Sequence, residues 1–431
     1  MIDVQTPGSP GWWLDRLYKR LAENRSRYDS LDRYYKGEAG IPVLASKAAR
    51  ESYQRLMQMA RMNFAELVVE APRERMQPVA FRTGAANDEL GDAVAWEVWQ
   101  ANSLDADSAL VHRTSLTLGD AYVIVGGVDP EIGAPLITPE DPRQVVTEAD
   151  PRRRRKTVAG LKVFKDDVAG ETVAYLYLPG VVVRAGSKGQ NPEAGLEPGA
   201  WSWLGDPERL PAEVVPVVRF ANRADLYGRG WGEFEPHLGL LNRINYTILN
   251  RLEIATLQAF RQRAAKNLPN EDENGQPIDY SDVFNMDPGA FWLLPEGAEL
   301  WESGQVDLTG IRQSIRDDVQ DLAAVTRTPL FYLTPEANNG SAEGASLARE
   351  GLVFKTGDRI VQAAESWEQV MSLAFTFAGD AERAQRRDMQ CVFASPERFS
   401  LAERFDAATK AQAAGVPWRQ VMSDVLQYGP Q

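Results

Sequence analysis

Apolar and aromatic positions recur at helical spacing near the start of the chain, at Trp13, Leu17, Leu21, Tyr28, Leu31 and Tyr35, with charged residues filling the gaps. The pattern predicts one long amphipathic helix, or a helix pair, over 12–36, closed by the turn signal Lys36-Gly37-Glu38. A second helical stretch is expected from about Lys47 to Glu70, ending before Pro72, because the residue ahead of a proline is driven out of helical geometry. Residues 87–118 read as helical again, broken near Asn102. The period then changes. Short β-rich runs at 121–125, 144–147, 158–164, 173–178 and 181–184 are separated by Gly, Pro and Asp turns, which predicts a small sheet beside helices, an α+β arrangement. From Trp201 to Phe220, Pro211 and Pro216 mark an irregular connection of loop and strand.

The second half carries stronger periodicity. Leu238, Leu241, Ile244, Ile248, Leu252 and Leu257 share one side of a helix expected from His237 to Phe260. Leu308, Ile311, Ile315, Val319, Leu322 and Val325 do the same for a helix from about Asp307 to Thr326. Between them, about 266–305 holds four prolines, the turn Asn274-Gly275 and the apolar patch Phe291-Trp-Leu-Leu294. Two helices flanking a compact insert can form an antiparallel hairpin with a small domain at its tip. Residues 328–344 read as an irregular loop, too long for a compact connection and of a length that usually carries function. A long helix follows from about Ser341 to Ala378, then a final helical hairpin that opens on the capping box Ser400-Leu-Ala-Glu403 and breaks at Gly415-Val-Pro417. No internal repeat is present.

With 431 residues, 44% apolar and 25% charged, the chain has the composition of a folded protein of two to four domains. Its 47 basic and 61 acidic residues leave a formal charge of −14, which argues against a basic face clamping nucleic acid. Nine acids against Lys266 alone make the 266–305 insert strongly acidic. One basic run, Arg152, Arg153, Arg154, Arg155 and Lys156, stands apart; a solvated loop between strands is the plain reading, a phosphate or acidic-partner contact the sharper one. The start lacks the pattern of a signal peptide and no run of about 18 apolar residues occurs, so no membrane partner is expected, and the protein is expected in host cytoplasm or released by lysis.

Catalytic chemistry finds little purchase. Cys391 is the single cysteine, so neither a disulfide framework nor a cysteine-cluster metal site is available, and it reads as a small core residue in a β-like run. With only His112 and His237, a zinc triad would need carboxylates; His112, among apolar neighbours on a helix, reads as structural. Acid pairs at helical spacing such as Asp317 with Asp321 occur, but 61 acids make a solvated helix face the default. Gly228-Arg-Gly-Trp-Gly232 lacks the Gly-Lys-Ser/Thr ending of a phosphate loop and reads as a tight turn before the long helix. No enzyme site, metal or cofactor is expected.

The order of parts resembles the portal, or head-tail connector, proteins of tailed bacteriophages. The carriers are Leu31-Asp-Arg-Tyr-Tyr-Lys-Gly37, Trp99-Gln-Ala-Asn-Ser-Leu104, Leu118-Gly-Asp-Ala-Tyr-Val123, Pro216-Val-Val-Arg-Phe-Ala-Asn222, Thr328-Pro-Leu-Phe-Tyr-Leu333 and Ser341-Ala-Glu-Gly-Ala-Ser-Leu347, in this order along nearly the whole chain. The resemblance implies an α+β ring subunit: a mixed α/β wing (1–235), two long stem helices (236–262 and 306–327) flanking a small α/β clip (263–305), a tunnel loop (328–343), a long wing helix and return strand (344–394), and a short helical C-terminal segment (395–431) in place of an extended crown. It implies a homo-oligomeric ring, typically a dodecamer, at one capsid vertex of the virion, conducting double-stranded DNA in packaging and ejection. Terminase, a head-completion adaptor, and capsid and scaffold proteins are the implied partners. Arg327, Asn338, Asn339, Gly340 and Ser341 would then face the tunnel, and Glu271, Asp272, Glu273, Phe291 and Trp292 would dock a partner at the clip. An acidic wall suits a conduit, because it repels phosphates and lets a duplex slide. Other readings are a different virion head or connector component, lacking the helix-insert-helix block, or an acidic carbohydrate-active hydrolase, which predicts a monomer with a carboxylate-lined cleft.

Overall fold

The computed structural model describes residues 2–40, 50–85, 91–168, 170–188, 201–259, 263–271, 275–278, 280, 297–302, 304, 306–334, 342–397 and 401–426. Ser9 opens the first helix by accepting a hydrogen bond from the Trp12 amide at 3.2 Å, and Pro10 sits in the first turn, where a missing N–H leaves nothing unpaired. That helix, α1 (Pro10–Tyr35), is continuous rather than a pair. The second predicted helix is instead two, α2 (Arg50–Ala60) and α3 (Phe64–Arg73), and Pro72 lies inside α3 rather than beyond it. In the last turn a proline forfeits one ladder bond, which burial of Ala71 and Pro72 offsets. After strand β1 (Pro78–Arg82), Asp92 caps α4 (Ala93–Ala101) by accepting from the Val94 and Ala95 amides. The predicted break at Asn102 is real, with Ser103 at φ 54° before α5 (Leu104–Leu118).

Where one small sheet was expected, the strands form two. Along the chain come β2 (Asp120–Asp129), β3 (Ala134–Glu140), β4 (Val145–Asp150), β5 (Arg153–Asp166), β6 (Glu171–Leu178), β7 (Val181–Lys188), β8 (Trp201–Trp203), β9 (Glu208–Arg209) and β10 (Val217–Ala221). All described pairs here are antiparallel, in the orders β10-β2-β3 and β4-β5-β6-β7-β8, with β9 also on β7. Strand β6 alternates buried and half-buried positions, the mark of a sheet covered on one face. The cover is α1: Leu14, Leu17, Tyr18 and Leu21 pack with Leu161, Leu176 and Trp201, and the Tyr18 and Trp201 rings meet edge-on at 5.7 Å.

The remaining elements are α6 (Leu238–Ala259), β11 (Arg263–Lys266), β12 (Glu299–Glu302), α7 (Thr309–Thr326), a single helical turn α8 (Leu330–Leu333), α9 (Ala342–Ala378), α10 (Ala381–Ala384), β13 (Gln390–Phe393), α11 (Leu401–Ala413) and α12 (Trp418–Gln420). The loop expected from 328 is thus interrupted by α8, where Tyr332 and Thr334 amides find the carbonyls of Pro329 and Leu330. Strand β13 returns to pair with β1, Phe81 opposite Cys391. Trp367 of α9 is the hub of this part: its ring lies 4.9 Å from Trp99 and 4.7 Å from Phe220, and its indole N–H donates to His112 Nε2 at 3.0 Å. Burial lowers the His112 pKa to about 4, so the ring is a neutral, packed acceptor. Two compact units result, Met1–Ala39 with Met62–Leu241 and Val319–Gln431, and Gly40–Arg61 with Asn242–Asp318.

Candidate functional site

The helix-insert-helix block starts at a 3-10 turn, Glu235–His237, that feeds α6. Leu241, Ile244 and Ile248 are buried, as their three- and four-residue spacing predicts, with Leu238 and Leu252 half-buried; Leu249, outside that spacing, is buried too, and Tyr246 is exposed. Beyond α6 the chain forms an antiparallel ribbon in which Arg263 faces Glu302 and Lys266 faces Glu299. The opposite charges of Lys266 and Glu299 across so short a ribbon favour this register. Arg243, early in α6, pairs with Asp318, late in α7, at 2.8 Å, while Gln258 at the far end of α6 donates to the Val306 carbonyl ahead of α7. The two helices therefore run antiparallel with the ribbon at one end.

Of the residues expected to dock a partner, Glu271 is exposed and bridges to Pro277, and Tyr280 donates to the Pro269 carbonyl at 2.8 Å. Asp272, Glu273, Phe291 and Trp292 lie outside the described residues. Two large apolar side chains that the sequence reading passed over, Leu300 and Trp301, project from the ribbon into solvent.

Helix α7 ends in a Schellman motif: the Thr328 amide reaches the Ala323 carbonyl at 2.9 Å and the Arg327 amide reaches Ala324 at 3.2 Å. Arg327 occupies the left-handed position, φ 51°, where glycine is usual, and Pro329 follows to stop the helix. Its side chain is exposed; Asn338, Asn339, Gly340 and Ser341 lie outside the described residues. The anchor beneath this end is a cluster that sequence reasoning missed. Buried Lys355 of α9 donates to the Thr326 carbonyl at 2.9 Å and pairs with buried Glu233 at 3.3 Å; Arg359 pairs with the same carboxylate at 2.7 Å, and Asn222 donates to it at 3.0 Å. Burial alone would raise the Glu233 pKa, but the Lys355 and Arg359 charges and the Arg359 and Asn222 hydrogen bonds hold it down at about 2. A fixed carboxylate thus ties the start of the loop to the helix that leaves it. No spacing rule could find Glu233 and Arg359, which stand 126 positions apart.

The basic run is not a loop. Pro151 and Arg152 form the β4–β5 turn, and Arg153 to Lys156 begin β5 on exposed backbone. Arg155 reaches Glu365 of α9 at 3.0 Å and Arg154 donates to the Leu226 carbonyl at 3.0 Å. The glycine-rich segment begins in the expected tight turn, where Gly228 at φ 85° donates to the Asp225 carbonyl at 3.0 Å, and then makes a close crossing: a Cβ on Gly230 would collide with the Gly119 carbonyl. Asp317 accepts from Gln313 on an exposed helix face, the solvated reading of that acid pair. Among the described residues no group of three or more His, Cys, Asp or Glu side chains could hold a metal ion, and no helix is long and apolar enough to cross a membrane.

The chain combines a mixed helix-and-sheet unit with two antiparallel helices that carry a short ribbon at one end, and its mixed helix-and-sheet make-up agrees with the class to which comparison assigns it. The family model described as phage portal protein, SPP1 Gp6-like, matches residues 14–425. The chain belongs to this family, the portal proteins of bacteriophages. It is 29% identical over 376 residues to the portal protein of Mycobacterium phage D29, covering 83% of this chain and 73% of that one. It is 28% identical over 422 residues to the portal protein of Mycobacterium phage L5, covering 92% and 79%. The family is a structural component of the phage capsid rather than a family of enzymes.

Proposed function

We propose that this chain is the subunit of a closed ring, twelve-fold in the capsid, seated at one vertex of the virion after assembly in the host cytoplasm and conducting double-stranded DNA in packaging and ejection. The observation that carries the reading is the match to the portal family over 14–425, which spans the helix-ribbon-helix block as well as the sheets. In this reading residues 1–235 and 344–394 are the wing, α6 and α7 the stem, 263–305 the clip, 328–343 the tunnel loop and 395–431 a reduced crown. The net charge of −14 suits a wall past which a duplex slides. The exposed Leu300 and Trp301 of the ribbon, together with Glu271, Asp272, Glu273, Phe291 and Trp292 of the same 263–305 segment, would offer terminase or a head-completion adaptor both apolar and acidic groups.

Electron microscopy of the purified protein, with native mass measurement on the same sample, tests the ring. Annular particles of about twelve to thirteen subunits are expected; a chain that is monomeric both alone and in isolated capsids refutes the reading. Deleting Asn338 to Gly340 is expected to leave rings intact and impair packaging or retention of DNA, with Arg327 as the neighbouring phosphate contact. Full packaging by the deletion variant would remove the tunnel-loop role.

A further inference from the structure

A groove of about 1290 Å³ opens between α1, the β4–β5 turn and the 224–229 loop, larger than a small-molecule pocket needs to be. Arginines line it, but most are matched within the subunit: Arg16 and Arg20 pair with Glu148, Arg27 and Arg229 with Glu235, and Arg219 with Asp120, so the positive charge left for a partner lies at the β4–β5 turn. Arg152 and Lys156 beside it have no ion-pair partner among the described residues. At its lip Leu226 and Tyr227 are 80% and 99% exposed, two large apolar groups with nothing of this subunit over them.

The opposite chemistry sits at the other end of the same strand. Strand β2 begins in the groove, at Asp120 and Tyr122, and runs to the β2–β3 hairpin at Asp129. Ten residues of strand place the two ends about 30 Å apart. Residues 121–142 contain no Lys or Arg. On the hairpin Asp129 and Glu131 have no ion-pair partner among the described residues, and Val128 and Ile132 are exposed beside them.

We infer that the β2–β3 hairpin of one copy seats in the arginine-lined groove of the next, Asp129 and Glu131 meeting Arg152 to Lys156 while Val128 and Ile132 cover Leu226 and Tyr227. Complementary surfaces at opposite ends of one strand make a head-to-tail contact, the kind that closes into a ring. The inference rests on the ring reading above. Nucleic acid is the poorer occupant: Glu23, Asp120, Glu148, Asp150 and Asp225 stand among the arginines, so a continuous phosphate backbone would meet like charge along the groove, whereas the hairpin brings only Asp129 and Glu131 and sets them at the Arg152–Lys156 turn.

The deciding experiment puts cysteines at Tyr227 and Ile132 of the same chain, in a Cys391→Ala background, and oxidises purified rings and isolated capsids. The two positions lie far beyond the roughly 7 Å a disulfide tolerates between Cα atoms, so within one subunit they cannot join. A ladder of covalent oligomers ending at the full ring is expected, with neither single variant giving more than dimers. Rings without a ladder overturn this contact while leaving the ring reading standing; absence of rings from the wild type, alone and in capsids, overturns both. As a second arm, Arg153→Glu with Arg154→Glu is expected to shift the mass distribution from rings to monomers with an unchanged circular dichroism spectrum. Combining it with Asp129→Arg and Glu131→Arg is expected to restore rings. Failure of that rescue, or charge-reversed rings that form normally but lose bound DNA, assigns the groove to another occupant.

Discussion

The sheet covered by α1 and the ribbon between α6 and α7 treat their aromatic residues in opposite ways. Trp201 in the first is buried against Tyr18; Trp301 in the second stands half in water on a four-residue strand. Side chains buried as Trp201 is hold their own subunit together, whereas a ribbon that leaves Leu300, Trp301 and Val306 exposed, like the body at Leu226 and Tyr227, has surface left for other molecules. The difference separates what holds the subunit together from what it offers to an assembly.

The contrast can be broken most severely at the hub of the body. Trp367→Ala removes contacts with Trp99, Phe220 and His112 together, and a loss of about 3–5 kcal/mol is expected in urea unfolding. Glu233→Gln comes next: it strands Lys355 and Arg359 in a buried site, at a cost of about 3 kcal/mol in the same measurement, with Lys355→Met in addition recovering part of it. The same carboxylate sets an acid limb. Its folded pKa, about 2, lies below the ordinary 4.5, so its contribution is full above pH 4.5 and fades as pH falls toward 2. Acid titration followed by circular dichroism should show that part of the slope in the wild type and not in Glu233→Gln.

Smaller effects sharpen the other side. Arg327→Gly should stabilise the subunit by about 1 kcal/mol, because glycine adopts φ 51° without strain; a destabilisation would mean that the Arg327 side chain holds the turn. Trp301→Ala should change unfolding by under about 0.5 kcal/mol, since a half-exposed ribbon residue has little to lose within the subunit. Its effect is expected in partner binding, measured by co-sedimentation of rings with the head-completion adaptor. A large stability loss would show that the ribbon is finished within its own chain.

Helices with sustained period were legible. Leu241, Ile244 and Ile248 are buried where their spacing put them, Asn102 marks a real break, and Cys391 lies in the strand its neighbours suggested. Pro72 and the 328–334 segment were misread, because a proline near a helix end and a four-residue helical turn are decided by burial and local hydrogen bonds rather than by period. The basic run was misread for the same reason: five consecutive charges suppress the alternation that marks a strand, yet pairing with β4 extends β5 back to Arg153.

By itself the amino-acid sequence determined the helix-insert-helix order, the acidic balance, the absence of a cysteine framework and the resemblance to portal proteins, since all of these are carried by local period, composition and order. Only the tertiary structure decided that Glu233 belongs with Lys355 and Arg359, that Lys355 caps α7 at Thr326, and that arginines from α1, β5 and β10 share one groove. Those meetings join residues far apart in the chain. Which charges are brought face to face, and which are left to water, depends on how helices and sheets pack, and no local pattern records it.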